Sequence, residues 1–343
     1  MNAPPVLPYE RYFHLRDNPF APEQGLHVRP DIELKLFEGQ LDAFRYFIQL
    51  EAFAKAQELI DDLVYGETTS LLTGTLPCVI IVGPRGAGRG TMADYLAYRL
   101  REECASHKMP LPSMQTVRED SEDTARVLQA VRAPVLEHLR ANGVPVGEVL
   151  QNVGIVDGGL PEVEPLSQLY RALAGKVKAT LPILVLAVEG ITASREKWLT
   201  TLRNLLGPLR VFLVFFTEDT SVATLFVSKP DTSVRLRVDV GELKEKDQLE
   251  FLQCRFKTLE TAERADLSDP LFPYTKDVLR QAFPAGEKTT IKQFVTLCSA
   301  ALDSRLSDFR RAPPVPGADA SVSWDNFKRA LARRLGRMPG AQP

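Results

Sequence analysis

The chain has 343 residues, 44% of them hydrophobic, and 42 Lys and Arg residues against 44 Asp and Glu residues give a formal net charge of -2. This length allows two domains, and the near-neutral charge excludes a strong attraction of the whole molecule to nucleic acid or to an anionic membrane. The four cysteines lie far apart with no CxxC pair, so neither a zinc site nor a disulfide framework is favoured. The sequence predicts no secretory signal and no membrane span, and we expect a cytoplasmic protein.

Strand-like and helix-like segments alternate along the first 240 residues. Residues 1–30 are rich in proline and aromatic residues and predict an extended arm that packs through its rings, and residues 31–65 have helical spacing. CVIIV at 78–82 is a continuous apolar run typical of a strand buried on both faces. Further strands are predicted at 112–119, 183–190, 210–221 and 233–240, and further helices at 123–143 (broken at Pro134), 165–180 and 194–207. This alternation indicates an open parallel sheet covered by helices, while residues 144–165 predict no single element.

After Gly241 the pattern is helical only, which indicates a second, smaller unit. We therefore divide the chain into an N-terminal arm (1–30), an α/β core (31–240), a helical domain (241–311) and a tail (312–343). The tail combines a Pro- and Ala-rich, flexible linker with a short basic helix.

GPRGAGRG at 83–90 matches the phosphate-binding pattern G-x-x-x-x-G-K-[ST] and lies between an apolar strand and a helical segment. In such a loop the glycines turn main-chain N–H groups toward phosphates, and the following helix directs its positive end at them. The predicted binding residues for ATP or ADP are Gly83, Pro84, Arg85, Gly86, Ala87, Gly88, Arg89, Gly90 and Thr91. The alternative is a glycine-rich turn that binds nothing.

Two side chains of that pattern are changed. Arg89 replaces the lysine and keeps its charge in a bulkier, forked form. Gly90 replaces the Ser/Thr that ligates Mg²⁺ and offers no oxygen, and Thr91 lies about 100° further round the helix. The sequence therefore does not favour a bound Mg²⁺ ion, and we predict no metal ligands.

Two further candidates stand at strand ends. Glu189 follows an apolar strand where a catalytic base is expected, although a solvated strand-end carboxylate is an equal alternative. Thr217 ends the next strand and offers a hydroxyl that could orient water near a phosphate. Asp157 is a competing, lower-ranked acidic candidate because its flanking run is short and interrupted by glycine.

With this loop, the strand VLAVEG, a strand ending at Thr217 and a helical C-terminal unit in this order, the chain resembles an AAA+ ATPase. DQLEFLQCRFKTL, PLFPYTKDVLRQAF and GEKTTIKQFVTLCSAAL resemble the lid of the origin-recognition, secretion-ATPase and transposition-regulator branches, and RYFHLRDNPFAP is similar to the "NPF" opening of the latter two. The likeness spans residues 9 to 305. It implies an α/β fold class, in which a P-loop NTPase parallel sheet is sandwiched by helices and followed by a small all-helical lid domain.

The chain also departs from that family beyond the loop. The metal-ordering Asp falls on Val188, and the lid's nucleotide-sensing arginine falls on residues 288–290, which contain no arginine. An arginine finger, supplied to a neighbouring subunit, would fall on Arg235 or Arg237, although surface arginines are common.

These changes predict an assembly or signalling module with weak or absent ATP hydrolysis, which works with protein partners in a larger complex or as a homo-oligomer. The alternative is an active ATP-dependent switch that acts on DNA or on a protein complex. Nucleic acid is a further candidate partner, because six of the last 33 residues are basic and two are acidic. A solvated or partner-docking helix explains the same charges.

Overall fold

The computed structural model describes residues 8–15, 19–20, 50–66, 76, 78–118, 124–154, 163–178, 180–189, 196–218, 220, 234–259, 261, 267–314 and 319–335. Several sequence predictions therefore lie outside the described residues, namely the helical spacing at 31–49, Asp157 and part of the predicted linker at 315–318.

Five parallel strands form one sheet in the order β2-β3-β4-β1-β5. They are β1 (Cys78–Val82), β2 (Ser113–Arg118), β3 (Leu184–Glu189), β4 (Val211–Thr217) and β5 (Val234–Asp239). The three most apolar strands, β1, β3 and β4, occupy the interior of the sheet, as their sequences require. The strand β1 that carries the glycine-rich loop thus lies between β4 and β5.

Helices cover both faces of this sheet. They are preceded by a short helix, α1 (Pro8–Phe13), whose rings contact Phe309 of the helical unit described below. The covering helices are α2 (Glu51–Gly66), α3 (Arg89–Ser106), α4 (Thr124–Ala141), α5 (Val146–Val153), α6 (Val163–Ala174) and α7 (Glu196–Leu206). On β1, Val79 and Ile81 pack into the cluster that contains α2 and α3, whereas Ile80 packs into the cluster that contains α4 and α6. Alternating side chains of one strand thus contribute to two cores.

Two local predictions were wrong in detail. Helix α4 continues through Pro134 without the predicted break. Within the arm, residues 8–13 form a short helix, α1, where extended chain was predicted. Its buried rings nevertheless pack as predicted, since Phe13 lies 6.1 Å from Phe309 and Phe20 lies 6.2 Å from Tyr274 between ring centroids.

The helical unit comprises α8 (Glu245–Leu259), α9 (Lys276–Ala282), α10 (Ile291–Arg311) and α11 (Trp324–Leu335). Its centre is Tyr274, which is fully buried and donates a hydrogen bond to the carbonyl oxygen of Cys298 at 2.6 Å. The ring of Tyr274 stacks on Phe256 of α8 and touches Phe327 of α11. The arrangement confirms the predicted fold class, a helix-covered parallel sheet followed by a helical unit.

No helix in the described part of the chain has the length and apolar content that a bilayer crossing requires.

Candidate functional site

Residues 83–91 connect β1 to α3 at the carboxyl end of the sheet. The N–H of Gly83 donates to the carbonyl oxygen of Thr217 at 3.0 Å, which ties the start of the loop to the end of β4. A Cβ atom on Gly83 would lie 2.4 Å from the carbonyl oxygen of Val240, so only glycine fits between the two neighbouring strands. The loop is therefore held on both sides by the main chain.

Two glycines give the loop its curvature. Gly86 and Gly88 have φ angles of +86° and +93°, in the left-handed region that favours glycine. Gly88 is the N-cap of α3 and supplies no side-chain cap, and no main-chain acceptor within the described residues meets the N–H groups of Arg89, Gly90 and Thr91. These first-turn N–H groups, at the positive end of an 18-residue helix, are suited to bind an anion.

The loop is not sealed by other side chains. Arg85 is exposed, and Pro84, Gly86, Gly88, Gly90 and Thr91 are partly exposed, whereas Ala87 is buried. The loop is therefore in contact with solvent along much of its length.

Arg89 is the first residue of α3, and its guanidinium points to the end of β4. Its Nη2 lies 3.3 Å from Oε1 of Glu218, and the two side chains are 16% and 58% exposed. The cation that replaces the usual lysine thus lies at the mouth of the loop and is paired with a carboxylate of the same chain.

The helical unit reaches the loop through the start of α10. The main-chain N–H of Lys292 donates to the carbonyl oxygen of Gly86 at 3.1 Å, and a Cβ atom on Gly86 would lie 2.9 Å from Cβ of Lys292. Sequence reasoning missed Lys292. The signal was present, because Thr290 and Gln293 form a capping box that begins α10 and places Lys292 in its first turn.

No known protein family matches the sequence, and no curated protein matches it. Solved structures with a similar fold do match it. The ORC2 protein of Aeropyrum pernix, in a structure described as ADPNP-ADP complexes, is 14% identical, with a TM-score of 0.52 over 86% of this chain and 70% of that one. Its ADP form is 15% identical, with a TM-score of 0.50 over 85% of this chain and 71% of that one. The chain has the fold of an AAA+ P-loop ATPase.

Within this AAA+ fold, Glu189 and Thr217 lie at the carboxyl ends of adjacent strands, with β4 between β1 and β3. Glu189 is partly exposed, whereas Thr217 is 1% exposed and its carbonyl oxygen is bound by the loop. Their catalytic roles stay predictions. Val188 is fully buried, and its hydrocarbon side chain offers no metal ligand. In the described ranges, no group of three or more His, Cys, Asp or Glu side chains is arranged to hold a metal.

The remaining sequence candidates are cations. Arg237 pairs with Asp239 at 2.9 Å on β5, and the side chain of Arg235 lies outside the described residues. On α11, Arg329 forms a two-pronged ion pair with Asp308 of α10, and its hydrogen bond holds the pKa of the Asp308 carboxyl below its ordinary value. Part of the basic charge predicted for the tail is therefore neutralised within the protein.

Proposed function

We propose that the loop at 83–91 binds the phosphates of ADP or ATP. The observation that carries this proposal is the start of α3, where three N–H groups that meet no acceptor in the described part of the chain follow two left-handed glycines beside the guanidinium of Arg89. Main-chain donors and a helix N-terminus favour an anion regardless of the side chains that were changed. The AAA+ fold, shared with a protein whose structures carry ADP or ADPNP, supports a nucleotide as that anion.

Mg²⁺ does not fit the same residues. An intact site presents a hydroxyl after the lysine and a metal-ordering acid just before the catalytic base near the end of β3; this chain has Gly90 and the buried Val188 at these two positions, although Glu189 follows Val188. When bound, the ion would supply charge stabilisation of a transferring phosphoryl group, and losing one such interaction typically costs about 10²-fold or more in rate. We therefore propose that hydrolysis is weak or absent.

We further propose that the protein works as an assembly or signalling module in a larger complex, with protein partners or as a homo-oligomer. Residues 31–240 would form its nucleotide-binding core and residues 241–311 its lid, in a cytoplasmic protein. The support is that binding by main-chain donors survives changes that remove catalysis. Ion pairs within the protein, such as Arg329 with Asp308, leave less of the tail for nucleic acid, so we place protein partners first.

Isothermal titration with ADP and ATP, in the presence of Mg²⁺ and in its absence, tests the binding. We expect saturable binding of both nucleotides without Mg²⁺, and a loss of about tenfold or more in affinity in Arg89→Ala, because a charge-assisted hydrogen bond is removed. Arg171→Ala is the matched control, since Arg171 is 68% exposed on α6.

Absence of saturable binding under any condition would overturn the nucleotide proposal and leave only a scaffold. Robust turnover of ATP would overturn the proposal of weak hydrolysis. Light scattering with and without nucleotide measures whether the chain assembles.

A further inference from the structure

The start of α3 attracts an anion for two independent reasons. The helix has no acidic residue in its first turn, so nothing on the helix itself offsets the positive end of its dipole. Arg89 then adds a full positive charge at that end, where a cation is unfavourable. A carboxylate or phosphate beside the first turn offsets both the positive end of the helix dipole and the charge of Arg89.

Glu218 is the anion that the chain places there. It follows β4 directly, and its Oε1 lies 3.3 Å from Nη2 of Arg89. The hydrogen bond from Gly83 to the carbonyl oxygen of Thr217 fixes the end of β4 against the loop, so the carboxylate is kept close to the guanidinium.

The contact is also easily broken. Charge-assisted hydrogen bonds between guanidinium and carboxylate are typically about 2.7–2.9 Å long and often two-pronged, whereas this pair shows one longer contact. The side chain of Glu218 is 58% exposed, so water solvates it once it leaves Arg89.

We propose that Glu218 is a positioning residue that holds Arg89 in place of a phosphate, and that a nucleotide must displace this carboxylate to engage the guanidinium. The inference rests on the proposed nucleotide binding at the same loop. It adds an intramolecular competitor, which makes the loop selective for anions whose charge exceeds that of one carboxylate. Binding then frees Glu218 at the start of the segment that follows β4.

The test is a double-mutant cycle at low ionic strength without Mg²⁺, with ADP and inorganic pyrophosphate as the probes. The four proteins are the unmodified chain, E218Q, R89A and R89A/E218Q. We expect E218Q to bind both probes about two- to fivefold more tightly, the range that one partly exposed ion pair allows. We expect no gain from E218Q in the R89A background, and a smaller gain at high salt.

Glu164→Gln is the control for net charge, because Glu164 is 66% exposed on α6 and pairs only loosely with Arg171, at 3.9 Å. Urea unfolding checks that each variant is folded. Equal affinities of the unmodified chain and E218Q, or equal gains in both Arg89 backgrounds, would overturn the inference and leave nucleotide binding intact. Failure of every protein to bind either probe would overturn both.

Discussion

Gly86 is the position at which the loop and the helical unit meet, and Gly86→Ala perturbs that contact directly. An alanine would have to keep a φ of +86°, which costs about 1–2 kcal/mol for a residue with a Cβ atom. The new Cβ would also lie 2.9 Å from Cβ of Lys292, whereas ordinary contacts are 3.4–4 Å. The start of α10 must therefore shift, which breaks the hydrogen bond from Lys292 to Gly86 and adds about 1 kcal/mol.

Gly286→Ala separates the cost of the left-handed backbone from the cost of the steric contact with Lys292. Gly286 has a φ of +94°, but no atom lies within 4 Å of an added Cβ. The assay is the free energy of unfolding in urea, measured for both variants and the unmodified chain. We expect losses of about 2–3 kcal/mol for Gly86→Ala and about 1–2 kcal/mol for Gly286→Ala. Equal losses would refute the reasoning, since they would mean that the helical unit is not held against the loop.

His138 is buried, with its ring nitrogens 3.0 Å from the Ser113 hydroxyl and 3.1 Å from the Pro182 carbonyl oxygen, and burial lowers its pKa below 6.5. As the pH falls, His138 is therefore protonated in the unfolded chain before it is protonated in the folded chain, and the free energy of unfolding should decrease below pH 6.5. An unchanged pH dependence of unfolding in His138→Gln would contradict this assignment. Phe327 is fully buried, and Phe327→Ala should cost about 3–5 kcal/mol in urea unfolding, against little change in Lys328→Ala on the same helix. Gly90→Ser places a hydroxyl in the loop, and titration should then show an ADP affinity that rises with Mg²⁺. If Mg²⁺ changes the ADP affinity of this variant no more than that of the unmodified chain, the role given to Gly90 is wrong.

The interior of the sheet was predictable because β1, β3 and β4 are apolar along nearly all of their length. A strand buried on both faces needs a continuous apolar run. CVIIV at 78–82 predicts such a strand, because a glycine-rich turn and a helical pattern follow it. The continuity of α4 was not predictable by the same means. Pro134 removes one hydrogen bond and favours a break, but tertiary packing of the residues on either side, such as Val131 and Val135, holds the helix together.

The site was only half predictable for a related reason. Glycine spacing reports the main-chain shape of a loop, so the curvature at Gly86 and Gly88 was accessible from the pattern. The partners of that loop come from distant parts of the chain. Glu218 lies 129 residues after Arg89, and Lys292 lies more than 200 residues after Gly86. No local pattern indicates which of many charged side chains the fold brings to the loop.

Under the proposed function, the need to offset the charge of a bound phosphate accounts for the altered side chains together. In an intact loop Mg²⁺ offsets much of the phosphate charge, and the lysine acts as a compact second cation. Gly90 and Val188 offer no metal ligand in the described part of the chain, so under the proposed function the offset comes from groups of the protein itself. A guanidinium provides five N–H donors in a plane and stays charged at any relevant pH, which suits a phosphate without a metal better than a single ammonium does. The same guanidinium pairs with the carboxylate of Glu218. Under the proposed function, the arginine, the absent hydroxyl and the nearby carboxylate are together consistent with a phosphate site that relies on protein donors alone.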